Sequence, residues 1–385
     1  MVNQKQEKRT IVIVGSAYPL RGGGIATFNE RMAKAFMDNG DEVKIYTFSL
    51  QYPSFLFPGK TQYSDEEPPE GLDIDVLVNS INPFNWIKVG RLLKKQAPDI
   101  IVLRYWIPFM APCLGTIARI ARKNRKTQVI AIADNIIPHE HKPGDKLFSG
   151  YFVKSVDAFV TMSKSVLNDL NKFDNQKPKK YTPHPLYDNF GEVIPKETAK
   201  KQLGLDTKTN YILFFGFIRD YKGLDILLEA LANKKLRELP LKLLIAGEFY
   251  TKPDKYTEII KKHKLEDYIE LRTDFIANTD VHKYFCAADV VVQPYKTATQ
   301  SGITQVAYHF NKPMITTNVG GLSELIPNEK VGYVVNPDKH ELAEAILRFY
   351  KNDKEAEFSK NAKAEKRKYS WDVFVKNLLS LLQNT

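Results

Sequence analysis

Two cations three residues apart, Arg219 and Lys222, stand between an apolar run, NYILFFG, and a helix-patterned run, LDILLEAL. Arginine can grip two oxygens at once, lysine supplies a point charge, and a helix N-terminus adds free amides. Together they suit a diphosphate, although a solvated basic turn would carry the same residues. Similar signals recur after other apolar runs. Gly216 ends the first, Gly247 and Glu248 follow LKLLIA, and Ser301, Gly302 and Ile303 open a helix beyond DVVVQPY. Gly320, Gly321 and Glu324 follow PMITTN. Four strand-end signals in one half of the chain point to a nucleotide diphosphate more strongly than any one of them.

The first half carries two further candidates. Gly22, Gly23 and Gly24 follow the run IVIVG after an interval and precede IATFNERMAKAF, which has helical spacing. A dinucleotide fingerprint needs its glycines tightly after the strand. Six residues separate Gly15 from Gly22, so an NAD site is excluded. What remains is a loop without side chains that lets backbone amides approach an anion or a sugar. The segment IAIADNIIPHEHKPGD places Asp134, Asn135, His139, Glu140 and His141 at another strand end. A metal is disfavoured there, because the His-x-His follows Pro138 and lacks a third spaced ligand. A polar loop facing a sugar is the expectation.

These residues need strands ending on one edge, and the periodicity supplies them. Apolar runs alternate with helical patterns from TIVIVG to KSVLNDLNKF, the mark of a doubly wound parallel sheet. Residues 175–195, rich in proline and charge, read as a linker. The alternation then restarts and runs to KHELAEAILRFYKN, followed by an apolar-faced helix in YSWDVFVKNLLSLLQ. The expected domains are 1–185, 186–369 and a terminal helix at 370–385. Ligands in such sheets bind at the carboxyl ends of strands.

Composition narrows the classes. The 385 residues are 43% hydrophobic and 26% charged, which is ordinary globular material for two domains. A formal net charge of +11 suggests an anionic partner. Nucleic acid is disfavoured, since the cations are scattered and no recognition motif is present. The two cysteines, Cys113 and Cys286, form no pair motif, which fits a reducing, cytoplasmic setting. No signal peptide or membrane span is expected. The cluster Arg119, Arg122, Lys123, Arg125 and Lys126 follows the aromatic stretch RYWIPFMAP. It is a candidate for peripheral contact with the anionic inner face of a membrane, or else a solvated helix end.

Over nearly its whole length the chain resembles glycosyltransferases of the GT-B architecture, and family 4 in particular. The resemblance rests on RGGGIATF, APDIIVLRYW, DNIIPHE, DAFVTMSKSVLNDL, AKKQLGL, ILFFGFIRDYKGLDILLEAL, LIAGEF and NVGGLSELI in this order. It implies two Rossmann-like domains facing across a cleft, with the last helix crossing back to the first. It implies a retaining transferase without metal or cofactor. The acceptor lies on the first domain and a nucleotide-sugar donor on the second. By resemblance, Arg219 and Lys222 bind the donor diphosphate, and Gly23 and Gly24 face its β-phosphate. Ser301 and Gly302 belong to the loop whose amides hold phosphate, and Phe275 and Ile276 lie where the backbone meets the base.

Two departures stand out. The family's pair of glutamates, eight residues apart, falls on Ala298 and Val306, or on Thr299 and Ala307 one register over. Gln300, Thr304 or Gln305 are the candidate substitutes, with Glu324 or Glu248 nearby. Many relatives have histidine where this chain has Asp134, leaving the donor-sugar contact open between Asp134 and His139. The expected function is transfer of a sugar from a UDP- or GDP-sugar to a glycan or lipid-linked acceptor. The alternatives are a donor-binding partner without catalysis and a sugar-nucleotide epimerase of the same architecture.

Overall fold

The computed structural model describes residues 8–21, 24–53, 61–65, 67–137, 143–298 and 301–384. The chain divides into two compact units, Met1–His184 with Trp371–Thr385, and Pro185–Ser370.

The first unit is built on β1 (Thr10–Val14), β2 (Glu42–Leu50), β3 (Ile74–Asn79), β4 (Ile100–Tyr105), β5 (Gln128–Ala133), β6 (Ala158–Thr161) and β7 (Lys179–Tyr181). They lie in the order β3-β2-β1-β4-β5-β6-β7, and every pairing is parallel. Its helices are α1 (Ile25–Asp38), α2 (Pro83–Gln96), α3 (Ala111–Ala121), α4 (Asp145–Val153) and α5 (Lys164–Asn171). The central strands β4 and β5 are rich in isoleucine and valine and buried along almost their whole length. Helices on both faces of a parallel sheet require this.

The second unit opens with α6 (Lys196–Gln202) and holds β8 (Asn210–Phe215), α7 (Leu224–Leu231), α8 (Lys234–Arg237), β9 (Leu241–Ala246) and α9 (Asp254–His263). It continues through β10 (Ile269–Arg272), α10 (Val281–Ala287), β11 (Val290–Gln293), α11 (Gly302–His309), β12 (Met314–Thr317), β13 (Gly332–Val335), α12 (Lys339–Lys351) and α13 (Glu355–Glu365). The sheet order is β10-β9-β8-β11-β12-β13. In both sheets the order reverses beside the first strand, at β1/β4 and at β8/β11. Such switch points open a crevice at the strands' carboxyl ends.

The last helix, α14 (Trp371–Leu379), belongs to the first unit. Its buried side chains, Trp371, Phe374, Val375 and Leu378, recur at helical spacing. Phe28 of α1 receives Trp371 at 5.0 Å and Phe374 at 5.5 Å between ring centroids.

The linker expected at residues 175–195 is partly a strand. Lys179–Tyr181 forms β7, with Lys179 opposite Phe159 of β6. Lysine and proline suit an edge strand, because they discourage further pairing, and so the composition resembled a linker. The strands β3 and β13 and the helices α4, α10 and α13 also go beyond the periodicity reading. Most are short, and β3 is an edge strand that leaves Val76 exposed, so their apolar patterns are weak.

Candidate active site

In the second unit, the turn after β8 carries Arg219 and Lys222. Gly216 ends β8 at φ +92°, a conformation open to glycine, and a Cβ built on it would lie 3.0 Å from Lys222 Nζ. The same Cβ would lie 3.4 Å from Ile303 Cδ1, so Gly216, Lys222 and Ile303 converge. A Cβ on Gly247, at the end of β9, would stand 2.4 Å from the Gly216 carbonyl oxygen, so these two strand ends abut closely. Glu248 follows, and its carbonyl accepts from the Ile218 amide at 2.8 Å.

The electrostatics of this turn are asymmetric. Asp220 and Asp225, its acids, are both held by Lys255 and Lys296; Lys296 lies 2.8 Å from Asp225 and 3.2 Å from Asp220. The hydrogen bond from Lys255 keeps the Asp220 carboxyl below its usual range. Arg219 and Lys222 are therefore left without carboxylates among the described residues. Arg219 lies over the Tyr250 ring at 5.0 Å, and Lys222 Nζ is 5.9 Å from the centre of the Tyr295 ring. Lys222 is buried. Burial, with Arg219 adding repulsion, brings its ammonium down to about 7. An anion binding here would stabilise the charged form, so the turn is set to gain from binding one.

Across the switch point, Ser301 precedes α11 as its N-cap but gives no side-chain cap, so it does not occupy the first-turn amides. Its hydroxyl lies 3.3 Å from Tyr295 Oη. Gly302 sits against Tyr187, where a Cβ would be 2.6 Å from Cε2. Beneath this turn, Thr304 donates to Gln293 Oε1 at 3.0 Å. Gln293 Nε2 and both amide atoms of Gln305 are buried without a hydrogen-bond partner among the described residues. Ala298 packs with Tyr295, Leu322 and Val319, and Val306 is buried, so apolar packing fills both glutamate positions.

Other expected residues lie further out. Ile276 is half-buried in the loop beyond β10, two strands from β8, and Glu324 is exposed in the turn after β12. Gly23, His139, Thr299 and Gln300 lie outside the described residues. Gly24 is the N-cap of α1, with φ +54°.

In the first unit, Asp134 follows β5 and meets Arg104 of β4. Arg104 Nε donates to Asp134 Oδ2 at 2.6 Å and Nη2 to Oδ1 at 2.8 Å, with both residues buried. The guanidinium lies over the Phe28 ring at 3.9 Å. Asn29 Nδ2 donates to the Ser16 carbonyl at 2.9 Å. Arg104 Nη1, Asn29 Oδ1 and Asn135 Oδ1 are buried without partners among the described residues. Asp134 is legible as a candidate from the sequence, whereas Arg104 and Asn29 are not. The available signal was a charged residue inside the apolar run DIIVLRY, since arginine is rarely buried unless paired.

Two doubly wound parallel sheets in one chain, one with a cationic turn at its switch point that no carboxylate pairs among the described residues, match the GT-B class of transferase architecture. The family model described as glycosyl transferases group 1 matches residues 195–365, and that of glycosyltransferase family 4 matches residues 22–182. A D-inositol 3-phosphate glycosyltransferase of Pseudarthrobacter chlorophenolicus is 30% identical over 350 residues, covering 84% of this chain and 80% of the relative. The chain belongs to the group 1 glycosyltransferases. It is also 24% identical to O-antigen chain mannosyltransferase C of Escherichia coli, over 90% of this chain and 89% of that one. The structure of Anabaena HepE in complex with UDP-glucose superposes with a TM-score of 0.71 at 16% identity, covering 98% of this chain and all of that one (100%).

Proposed function

We propose that the protein is a retaining glycosyltransferase that moves a sugar from a UDP- or GDP-sugar to a glycan or lipid-linked acceptor. Its setting is cell-surface polysaccharide or glycoconjugate synthesis at the cytoplasmic face of the membrane. The observation that carries this reading is the pair Arg219 and Lys222, which have no carboxylate partners among the described residues although Asp220 and Asp225 stand beside them. The complex of HepE with UDP-glucose and the similarity to an O-antigen mannosyltransferase support the choice of donor and acceptor classes.

In this reading the bond from the anomeric carbon to the leaving phosphate oxygen breaks, and negative charge builds on the diphosphate. Arg219, Lys222 and the amides at the start of α11 stabilise that charge without a metal or cofactor. The acceptor oxygen attaches to the same face of the sugar, and its proton passes to the departing phosphate oxygen. No carboxylate nucleophile is needed, which agrees with alanine and valine at positions 298 and 306. Asp134 acts by fixing Arg104.

The test is a panel of UDP- and GDP-sugars with and without lipid-linked acceptors. Release of nucleoside diphosphate is followed, and the product's anomeric configuration is read by NMR. Acceptor-dependent release with retained configuration is expected. Inverted product would overturn retention, and interconversion of free donor would make the protein an epimerase.

A further inference from the structure

The cluster from Arg119 to Lys126 divides once its contacts are known. Arg119 lies over the Tyr151 ring at 4.4 Å and donates from Nε to Ser155 Oγ at 2.9 Å. Arg122 is paired with Asp157 and donates to the Ser155 carbonyl at 3.2 Å. These two arginines hold the structure together. Lys123, Arg125 and Lys126 are exposed and have no ion pair among the described residues. Asn124 fixes the turn that presents them: its Oδ1 accepts from the amides of Lys126 and Thr127 at 2.8 and 2.9 Å. The cations line a cavity of about 560 Å³ whose one acid, Asp157, already serves Arg122.

This basic turn continues onto α2. Asn124 Nδ2 reaches the Lys94 carbonyl at 3.5 Å, and a Cβ on Gly90 of α2 would lie 2.8 Å from Ile120 Cβ of α3. The inner stripe of α2 is Val89, Gly90 and Leu93. The outer stripe is Phe84, Lys88, Arg91, Leu92 and Lys95, at helical spacing. Phe84 is 84% exposed, and Ile81 and Leu92 are exposed as well. From Ser80 to Pro98 there are four cations and no acid, and from Ala111 to Gln128 five cations and no acid.

We infer that the outer face of α2 and the turn from Lys123 to Lys126 form a docking surface for an anionic phospholipid bilayer. The turn would seat headgroup phosphates, and Phe84 would enter the interface. The charge complementarity is one-sided over the whole strip, and exposed apolar side chains are interleaved with it, as a helix lying on a membrane requires. The turn lies between α3 and the start of β5, at the edge of the sheet opposite Arg104 and Asp134. Docking can therefore be altered without touching those residues. The inference agrees with the lipid-linked acceptor of the proposed function, but its test involves no transfer.

The test is co-sedimentation of the full chain with vesicles of phosphatidylcholine alone or mixed with phosphatidylglycerol, at about 0.15 M salt. Binding is expected only to the mixed vesicles. It should fall by roughly tenfold or more in Lys123→Glu/Arg125→Glu/Lys126→Glu, in line with the weight of each cation at such a surface. A severalfold loss is expected in Phe84→Ser. UDP affinity measured on the same variants should stay unchanged and certifies the fold. Absence of binding to the mixed vesicles, or binding that ignores both variants, would overturn the docking surface. Equal displacement by micromolar inorganic polyphosphate and by vesicles would make it a site for soluble polyanions instead. A failed transfer assay would leave the vesicle result standing.

Discussion

Arg104 and Asp134 meet as a buried bidentate pair, with hydrogen bonds of 2.6 and 2.8 Å and the Phe28 ring on the guanidinium at 3.9 Å. Removing one partner leaves a charge stranded in the core, at a cost of about 3–5 kcal/mol. Asp134→Ala is thus expected to lower the unfolding midpoint strongly. Arg104→Met with Asp134→Leu removes both charges and should recover most of that loss. Denaturant melts of the single and double variants distinguish this from a purely catalytic aspartate, whose removal would leave stability nearly intact.

Arg219 and Lys222 make their contribution to charge that develops on the leaving group. Arg219→Ala and Lys222→Ala are each expected to slow transfer by about 10²–10³, the range for losing one such contact. Lys222→Ala should not destabilise the protein, because it removes a desolvated ammonium that has no carboxylate partner among the described residues. Wild-type rates in both variants would remove the diphosphate assignment.

The Lys222 ammonium titrates near 7 because it is buried and, secondly, because Arg219 repels it. Bound diphosphate raises that value. UDP affinity should then be flat below pH 7 and weaken with rising pH above it, by up to about tenfold per unit. Comparing titrations of the wild type and Lys222→Met cancels the ligand's own protonation, and the variant should lack the slope. Folding carries the opposite sign. The unfolded chain binds the proton more tightly, so the stability cost of Lys222 is full below pH 7 and fades as pH rises towards its ordinary range.

Gln305 holds both of its amide atoms buried without partners among the described residues, which costs about 1–3 kcal/mol for a group so placed. A buried amide kept at that cost fits a ligand contact. Gln305→Leu should raise the melting temperature of the free protein and weaken binding of the sugar nucleotide. A variant that melts higher and binds as well as the wild type would make Gln305 a packing residue only.

Much of this was legible in one dimension. Runs such as TIVIVG and DIIVLRY are long, apolar and separated by helical spacing, so two doubly wound sheets followed from the pattern. Arg219 and Lys222 stood out because charge directly after a buried strand is unusual. The strand β7 was hidden because Lys179 and Lys180 are normal on an edge and equally normal in a linker. Arg104 was hidden because its partner lies 30 residues away, on the neighbouring strand.

The alternation of strands and helices in two domains, the cationic turn and the cluster from Arg119 to Lys126 were determined by the sequence itself. They depend on local periodicity and on residue types that keep their chemistry wherever the chain places them. The tertiary structure alone decided which charges are free. It paired Asp220 and Asp225 with Lys255 and Lys296, joined Asp134 to Arg104, and left Lys222 buried beside Gly216 with no carboxylate among the described residues. Charge pairing and burial depend on distances between residues far apart in the chain, and only folding sets those distances.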